Sequence, residues 1–512
     1  MQKALSAPLA STRFHTQQTL MTDALKVKTV NRLFQANAAA LALIIATTCA
    51  GNAQNFGEIV TKQYSDGSIY EGTFKDGKRH GNGTYQLPGG YEYNGEWVDG
   101  EIKGQGTAKF QDGSVYTGAF NKGKPDGFGK IIFSDGSSYE GDWADAIITG
   151  NGIWIYHDGT TYEGGFNNSL HHGVGTIKVP NGYSYQGEWV NGIQEGFGKI
   201  RYADGSVYEG TLLNGKREGK GTLTTADRDV YVGEWKDDKQ NGAGKLTLAN
   251  GAVYVGDFMD GLRHGAGQMY YVDDSTYVGD FQNGKHHGQG VFKFTDGYMY
   301  DGNWVEGRIE GRGVETYPDG SVYTGQFKDN LPNGTGKIDY PDGGSYDGEW
   351  VAGIPKGKGI AHLANGSVYE GEFKDANFHG QGKLTEASGY QYEGGWLNGL
   401  RSGAGTEKYD DGAVYSGNFA NGLREGQGEI QMPDGFKYVG SWKDDKFNGS
   451  GVATYVNGDV YEGMFADGKR HGIGTMRFIT GEVASGVWKN GVLQENESDA
   501  TPEPDSPEGA SN

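Results

Sequence analysis

From Tyr70 onward the chain repeats one order of apolar and polar positions every 23 residues, with the tyrosine returning from Tyr93 to Tyr461 in register eighteen times in all. With that tyrosine as position 1, each repeat begins Tyr-x-Gly-x-Phe/Trp, as in Tyr70-Glu71-Gly72-Thr73-Phe74. Large residues at alternate places share one face of a strand. Asp-Gly or Asn-Gly follows, as in Asp76-Gly77 and Asn191-Gly192, then Gly-x-Gly and a short returning run such as Thr107-Ala108-Lys109-Phe110. Two strands joined by such turns predict a β-hairpin in every repeat. A second Asp-Gly, as in Asp112-Gly113, leads into the next tyrosine. A period of this length means an open array in which each repeat packs on its neighbours. The expected fold is all-β: an elongated, twisted, single-layer antiparallel sheet of tandem 23-residue hairpins.

Glycine inside strands costs stability and needs a reason. The expectation is that Gly81 and Gly83 leave bare backbone on which an aromatic ring from a neighbouring strand can lie. A longer period is also visible. Position 5 alternates Phe74, Trp97, Phe120, Trp143, and the alternation slips between Phe258 and Phe281. Trp235-Lys236-Asp237-Asp238-Lys239 returns as Trp442-Lys443-Asp444-Asp445-Lys446. These echoes predict a duplicated block: nine repeats over 70–276 and nine over 277–483. A half-repeat occupies 54–69, and a degenerate repeat without its tyrosine occupies 484–493 as a cap. Residues 494–512 form an acidic, proline-containing tail whose composition reads as disordered.

Charge and targeting signals alter this picture at the ends. The net charge is −21; residues 1–53 hold five basic residues and one acid, so the remainder carries 40 basic and 65 acidic residues, a net −25. That field opposes non-specific binding to nucleic acid or anionic lipid. Before the array, Lys26, Lys28 and Arg32 precede an apolar run from Ala36 to Thr48 and the small residues Gly51-Asn52-Ala53. This is the layout of a secretory signal peptide cleaved after Ala53. The expected location is therefore exported, periplasmic or cell-envelope associated, with an N-terminal membrane anchor or organelle targeting as alternatives. The single Cys49 excludes a disulfide framework.

Candidate chemistry is sparse. No phosphate-binding loop, nucleophile elbow or paired-cysteine site is present, so no enzyme, cofactor or metal is expected. His80, His172, His264, His287, His379 and His471 all fall at position 11. Successive repeats stand about 10 Å apart in a sheet, too far to share a zinc ion. They read as turn residues, with a protonation-sensitive interface as the alternative. Asp in the Asp-Gly turns reads as turn chemistry. Basic residues gather at the first turn and form a candidate interaction strip. In the first half these are Lys78, Arg79, Lys124, Lys216, Arg217 and Arg263; in the second, Lys285, Arg308, Arg401, Arg424, Lys446, Lys469 and Arg470. The bland alternative is a solvated margin that prevents edge aggregation.

The signature Tyr-x-Gly-x-Phe/Trp-x-x-Gly-x-x-x-Gly-x-Gly, from Tyr70 through His80-Gly81-Asn82-Gly83, resembles the MORN repeat (membrane occupation and recognition nexus). The resemblance spans roughly residues 57–491. It implies an extended hairpin sheet used in scaffolding, self-association and, in some members, attachment to membranes. Such repeats also accompany kinase or methyltransferase domains, for which this chain has no room outside the array. The expected function is a non-enzymatic exported scaffold that binds a protein partner or itself. The alternative is a phospholipid- or polysaccharide-binding protein at the cell envelope.

Overall fold

The structure, a computed structural model, describes residues 57–494. The expected signal segment with Cys49 and the acidic tail after Gln494 lie outside the described residues. Thirty-nine strands, from β1 (Val60–Gln63) to β38 (Val483–Lys489) and β39 (Val492–Leu493), build an open antiparallel sheet, with no helix among the described residues. Contacts divide the chain into two compact units that adjoin in sequence at Val272 and Asp273. Within each unit strands pair in chain order with their sequence neighbours, and β1 and β39 each pair on one side only among the described residues.

The first repeat shows why. β2 (Ile69–Lys75) and β3 (Lys78–Gln86) pair with Tyr70 opposite Tyr85 and Gly72 opposite Gly83. Asp76 and Gly77 join them with φ of 48° and 77°. Two positive φ values make the type I′ turn, whose twist matches that of the strands. β3 then pairs with β4 (Glu92–Val98), Gly83 opposite Gly95. The connection between repeats is a three-residue loop, seen between β5 (Glu101–Lys109) and β6 (Val115–Asn121). There the Phe110 N–H donates to the Ser114 carbonyl at 2.9 Å, and the Gly113 N–H to the Phe110 carbonyl at 3.0 Å. Asp112 accepts from the Ser114 N–H at 2.9 Å, the local bonding expected of a turn aspartate.

The core is one face of the sheet. Tyr70, Tyr93, Tyr116 and their equivalents are completely buried. Where position 5 is aromatic, the ring meets that of its own repeat and of the next edge-on, as Tyr70 lies 5.1 Å from Phe74 and 5.3 Å from Trp97, at 82° and 81°; Leu212 interrupts the row beside Tyr185 and Tyr208. T-shaped pairs of this kind add about 0.5–1.5 kcal/mol each beyond the burial of their area. The phenol stays satisfied by donating to the Thr73 carbonyl at 3.0 Å. Tryptophan at position 5 adds a bond across the repeat boundary. Trp97 Nε1–H donates to the Gly83 carbonyl of the preceding repeat at 3.1 Å, and Trp235 to Gly221 at 3.2 Å. Phenylalanine has no donor for that bond, so the alternation marks which repeats are pinned to the one before.

The glycines divide into two kinds. A Cβ on Gly83 or on Gly72 would stand 2.4 Å from the Tyr70 hydroxyl, so this pair makes the bare floor under the ring. Gly81 does not belong to that floor. Its φ is +73°, and the strand register shifts between Gly72 and Phe74 opposite it. It is a bulge glycine, required by the left-handed backbone and not by an overlying ring.

Candidate interaction surface

The basic residues at the first turn occupy two adjacent positions, 9 and 10, and the strand sends them to different places. Position 9 lies at the margin and pairs with the turn acid of the following repeat. Lys124 Nζ reaches Asp145 at 2.7 Å, Lys216 reaches Asp237 at 2.7 Å, and Lys446 reaches Asp467 at 3.3 Å. Lys285 with Glu306 (3.7 Å) and Arg308 with Asp329 (3.2 Å) follow the same rule. Lys78 and Lys469 stand at this margin without an ion pair among the described residues. The margin is thus a row of alternating charge, with exposed pairs worth roughly 0–1 kcal/mol each.

Position 10 turns inward. Arg79 lies 4.2 Å above the Trp97 ring, Arg217 4.1 Å above Trp235, and Arg470 4.4 Å above Trp488. Arg424 lies 4.8 Å above Trp442, Arg401 5.3 Å above Phe419, and Arg263 5.7 Å above Tyr254. These guanidinium groups cover the aromatic row through cation–π contacts and their apolar stems. The thirteen residues therefore do not form one strip: seven edge the sheet and six roof its core.

The same parity separates the histidines. His171, at position 10, stacks on Tyr162 at 3.6 Å and 13°, and its Nε2 shares a 3.0 Å hydrogen bond with the Tyr156 hydroxyl. In another repeat Phe378 takes the same place on Tyr369, at 3.7 Å and 7°. His80, at position 11, instead accepts from the Asp99 N–H of the next turn through Nδ1 at 3.4 Å. Acids do this elsewhere, as Glu195 does for Asn214 at 2.8 Å. Position 11 thus caps the following turn in these repeats, whereas the Nδ1 atoms of His172, His264, His287 and His379 are buried without a hydrogen-bond partner among the described residues.

Burial lowers the pKa of His171 to about 3. The unfolded chain binds a proton near pH 6.5 while the native state does not, so this site's stabilisation is full above pH 6.5 and is lost as pH falls toward 3. Comparing urea unfolding of wild type and His171→Phe at pH 7 and pH 4 isolates the effect from the carboxylates. The wild type should lose about 3 kcal/mol more than the variant between the two pH values. Equal losses would show that His171 is protonated in place.

Two carboxylates also enter the core. Glu315 and Glu407 sit at position 16, where Ile131, Ile177 and Ile430 stand in other repeats, and are 5% and 1% exposed. Glu315 accepts from Tyr298 and Tyr317 hydroxyls, both at 2.6 Å. Glu407 accepts from Tyr390 at 2.7 Å and Tyr409 at 2.6 Å, and is paired with Arg401. Among the described residues, no three His, Cys, Asp or Glu side chains converge as metal ligands.

On the opposite face of the sheet, Phe128, Val174 and Phe197 are 60%, 71% and 58% exposed. They occupy position 13 of β7 (Lys124–Ile132), β11 (Leu170–Lys178) and β13 (Ile193–Arg201). Positions 14 and 16 of the same strands face the core, so position 13 faces away. Asp142 lies opposite Phe128 and Glu188 opposite Val174. Sequence reasoning missed these residues; apolar side chains one place before the invariant second glycine were the available signal.

Among solved structures the chain is similar to the TCP domain of Drosophila melanogaster SAS-4 (dCPAP), solved with a proline-rich motif of Ana2. The identity is 12%, over 42% of this chain and 99% of that one, with a TM-score of 0.21. It is also similar to a variant of the TCP10 domain of Danio rerio CPAP, at 16% identity over 43% of this chain and 92% of that one, TM-score 0.17. No curated protein matches the sequence. The model of the MORN repeat matches eighteen segments, beginning with 70–90 and 93–115 and ending with 461–483. With hairpin, glycine floor and aromatic row in place in the repeats it matches, the chain belongs to the MORN-repeat family.

Proposed function

We propose that this chain is a non-enzymatic, exported scaffold whose repeat sheet binds a protein partner or another copy of itself. The observation that carries the reading is the row of Phe128, Val174 and Phe197, strongly exposed on the face opposite the core. Apolar knobs with Asp142 and Glu188 directly across from Phe128 and Val174, and Thr211 across from Phe197, have the make-up of a protein interface, with aromatic anchors beside charged groups. The position-10 arginines do not serve an anionic ligand in this reading, because they are committed to the aromatic row. The Lys–Asp margin limits unwanted edge contacts.

The test is capture from envelope extract by the full chain and by the Phe128→Ser/Val174→Ser/Phe197→Ser variant. Residues on an exposed face tolerate such changes, so the variant should fold normally and retain at least tenfold less partner. Equal capture by both proteins would refute this face, and retention of anionic liposomes in place of protein would favour the lipid-binding alternative. N-terminal sequencing of the mature protein should begin after Ala53; an intact N-terminus on a cytosolic protein would remove export from the reading.

A further inference from the structure

β1 and β38 are each the odd half of a hairpin. β1 begins at position 14 and ends at position 17, so it is the end of a second strand whose first strand is missing among the described residues. β38 is the first strand of the degenerate repeat, and β39 follows it only through positions 9 and 10, with Leu493 opposite Trp488. Beyond that point the edge of β38 from Val483 to Gly486 has no strand partner among the described residues. The two halves are complementary in count: one supplies positions 9 and 10 of a second strand, the other positions 14 to 17.

They are complementary in side chains as well. In complete repeats position 14 is glycine because the position-1 tyrosine lies on it, the hydroxyl 2.4 Å from a Cβ built on Gly83. β38 carries Ala484 in place of that tyrosine, and β1 carries Val60 in place of that glycine. The exchange of size is reciprocal. In the ordinary register, in which Tyr70 faces Tyr85 and Gly72 faces Gly83, Ala484 would face Lys62 and Gly486 would face Val60. Position 16 also meets the residue two places before the tyrosine, as Glu315 meets Tyr298 at 2.6 Å. By that rule Lys62 would meet Glu482, opposite in charge. Finally, Ile59 is 69% exposed at one end, and Val487 and Ile473, paired with each other, are 52% and 77% exposed at the other.

We infer that β1 of one molecule docks on the open edge of β38 of another, completing a split repeat and joining copies head to tail. The inference rests on the scaffold reading and names a second copy of this chain as the partner for these edges. The docked strand gains backbone hydrogen bonds, as in any strand addition, and the Val60–Ala484 match sets its register. A contact between two different surfaces of the same chain propagates from copy to copy.

The test uses the full chain in light scattering and chemical trapping. Wild type should show mass rising with concentration. Ala484→Tyr restores the ring where Val60 must sit and should abolish the rise, whereas Ala484→Tyr with Val60→Gly restores the usual tyrosine–glycine fit and should regain it. In a Cys49→Ser background, a mixture of Thr61→Cys and Ser485→Cys chains should form a disulfide-linked dimer under mild oxidation, because these positions face each other in the proposed register; either variant alone should not. A monomeric wild type, an indifferent Ala484→Tyr, or trapping of Ser485→Cys with itself would overturn the head-to-tail join. Capture of a partner protein by a strictly monomeric chain would leave the scaffold reading standing and remove only this inference.

Discussion

Gly382→Ala should melt the sheet locally at temperatures at which the wild type is intact. Gly382 is position 14 of the repeat that begins at Tyr369, and a Cβ there would stand 2.2 Å from the tyrosine hydroxyl and 2.5 Å from Cζ. The ring has nowhere to go. Phe373 and Trp396 hold it edge-on at 5.1 and 5.4 Å, and Phe378 lies flat on its other face at 3.7 Å. Overpacking of a well-filled site costs about 1–3 kcal/mol and sometimes more, and this site can relax only by lifting a fully buried tyrosine. The expected loss is therefore about 3 kcal/mol or more. In a repeat array the disturbance reaches the neighbouring repeats, so hydrogen exchange should accelerate in β28 (Val368–Lys374), β29 (Asn377–Thr385) and β30 (Gln391–Leu397) while distant strands stay protected. Tyr369→Ala in the same chain removes the ring that clashes. The double variant should consequently lose less than the sum of the two single changes. Additive losses would mean that the glycine is needed only for its backbone.

That arrangement could be read in outline before any coordinates, because the hairpin, the turn type and the need for a bare floor all follow from residues at fixed spacing. Tyr70, Gly83 and Asp76-Gly77 each carry a local physical signal that the sheet does not override. The surface was less legible. Lys78 and Arg79 are neighbours beside one turn and look like one cluster, but counting by twos back from Gly83 reaches Arg79 and not Lys78. That parity sends the arginine over Trp97 and leaves the lysine at the margin. It also lays His171 and His286, not the recurring position-11 histidines, flat on the tyrosine rings, and there burial lowers the pKa of His171. Gly81 and Gly83 looked alike because spacing shows where glycine is and not why; the bulge that needs Gly81 forms only when Phe74 pairs with Arg79 out of step. Glu315 and Glu407 gave no warning in a chain so rich in acids. Only their place in an otherwise mostly apolar column distinguishes them.

Glu407 leads to the second large effect. Arg401→Met should destabilise the chain by about 3 kcal/mol, because removing one partner of a buried pair leaves a charge behind. Glu407 is 1% exposed, and its nearest remaining cation, the Nε of Arg424, is 3.9 Å away and already bonded to Asp445 at 3.1 Å. The two phenols would not replace the lost cation. Burial and the carboxylate itself push Tyr390 and Tyr409 well above the usual tyrosine range, so both remain neutral donors. Glu407→Leu with Arg401→Met should recover most of the loss and come within about 1 kcal/mol of wild type, since well-packed apolar groups can replace a buried ion pair at little cost. Ile430 and Met476 already fill position 16 in later repeats, buried to 3% and 4% exposure, which shows that the column accepts such side chains. Urea unfolding of the two variants decides the matter. A double variant as unstable as Arg401→Met would place the loss in the guanidinium's contacts with Phe419 and the Gly422 carbonyl, and not in the stranded carboxylate.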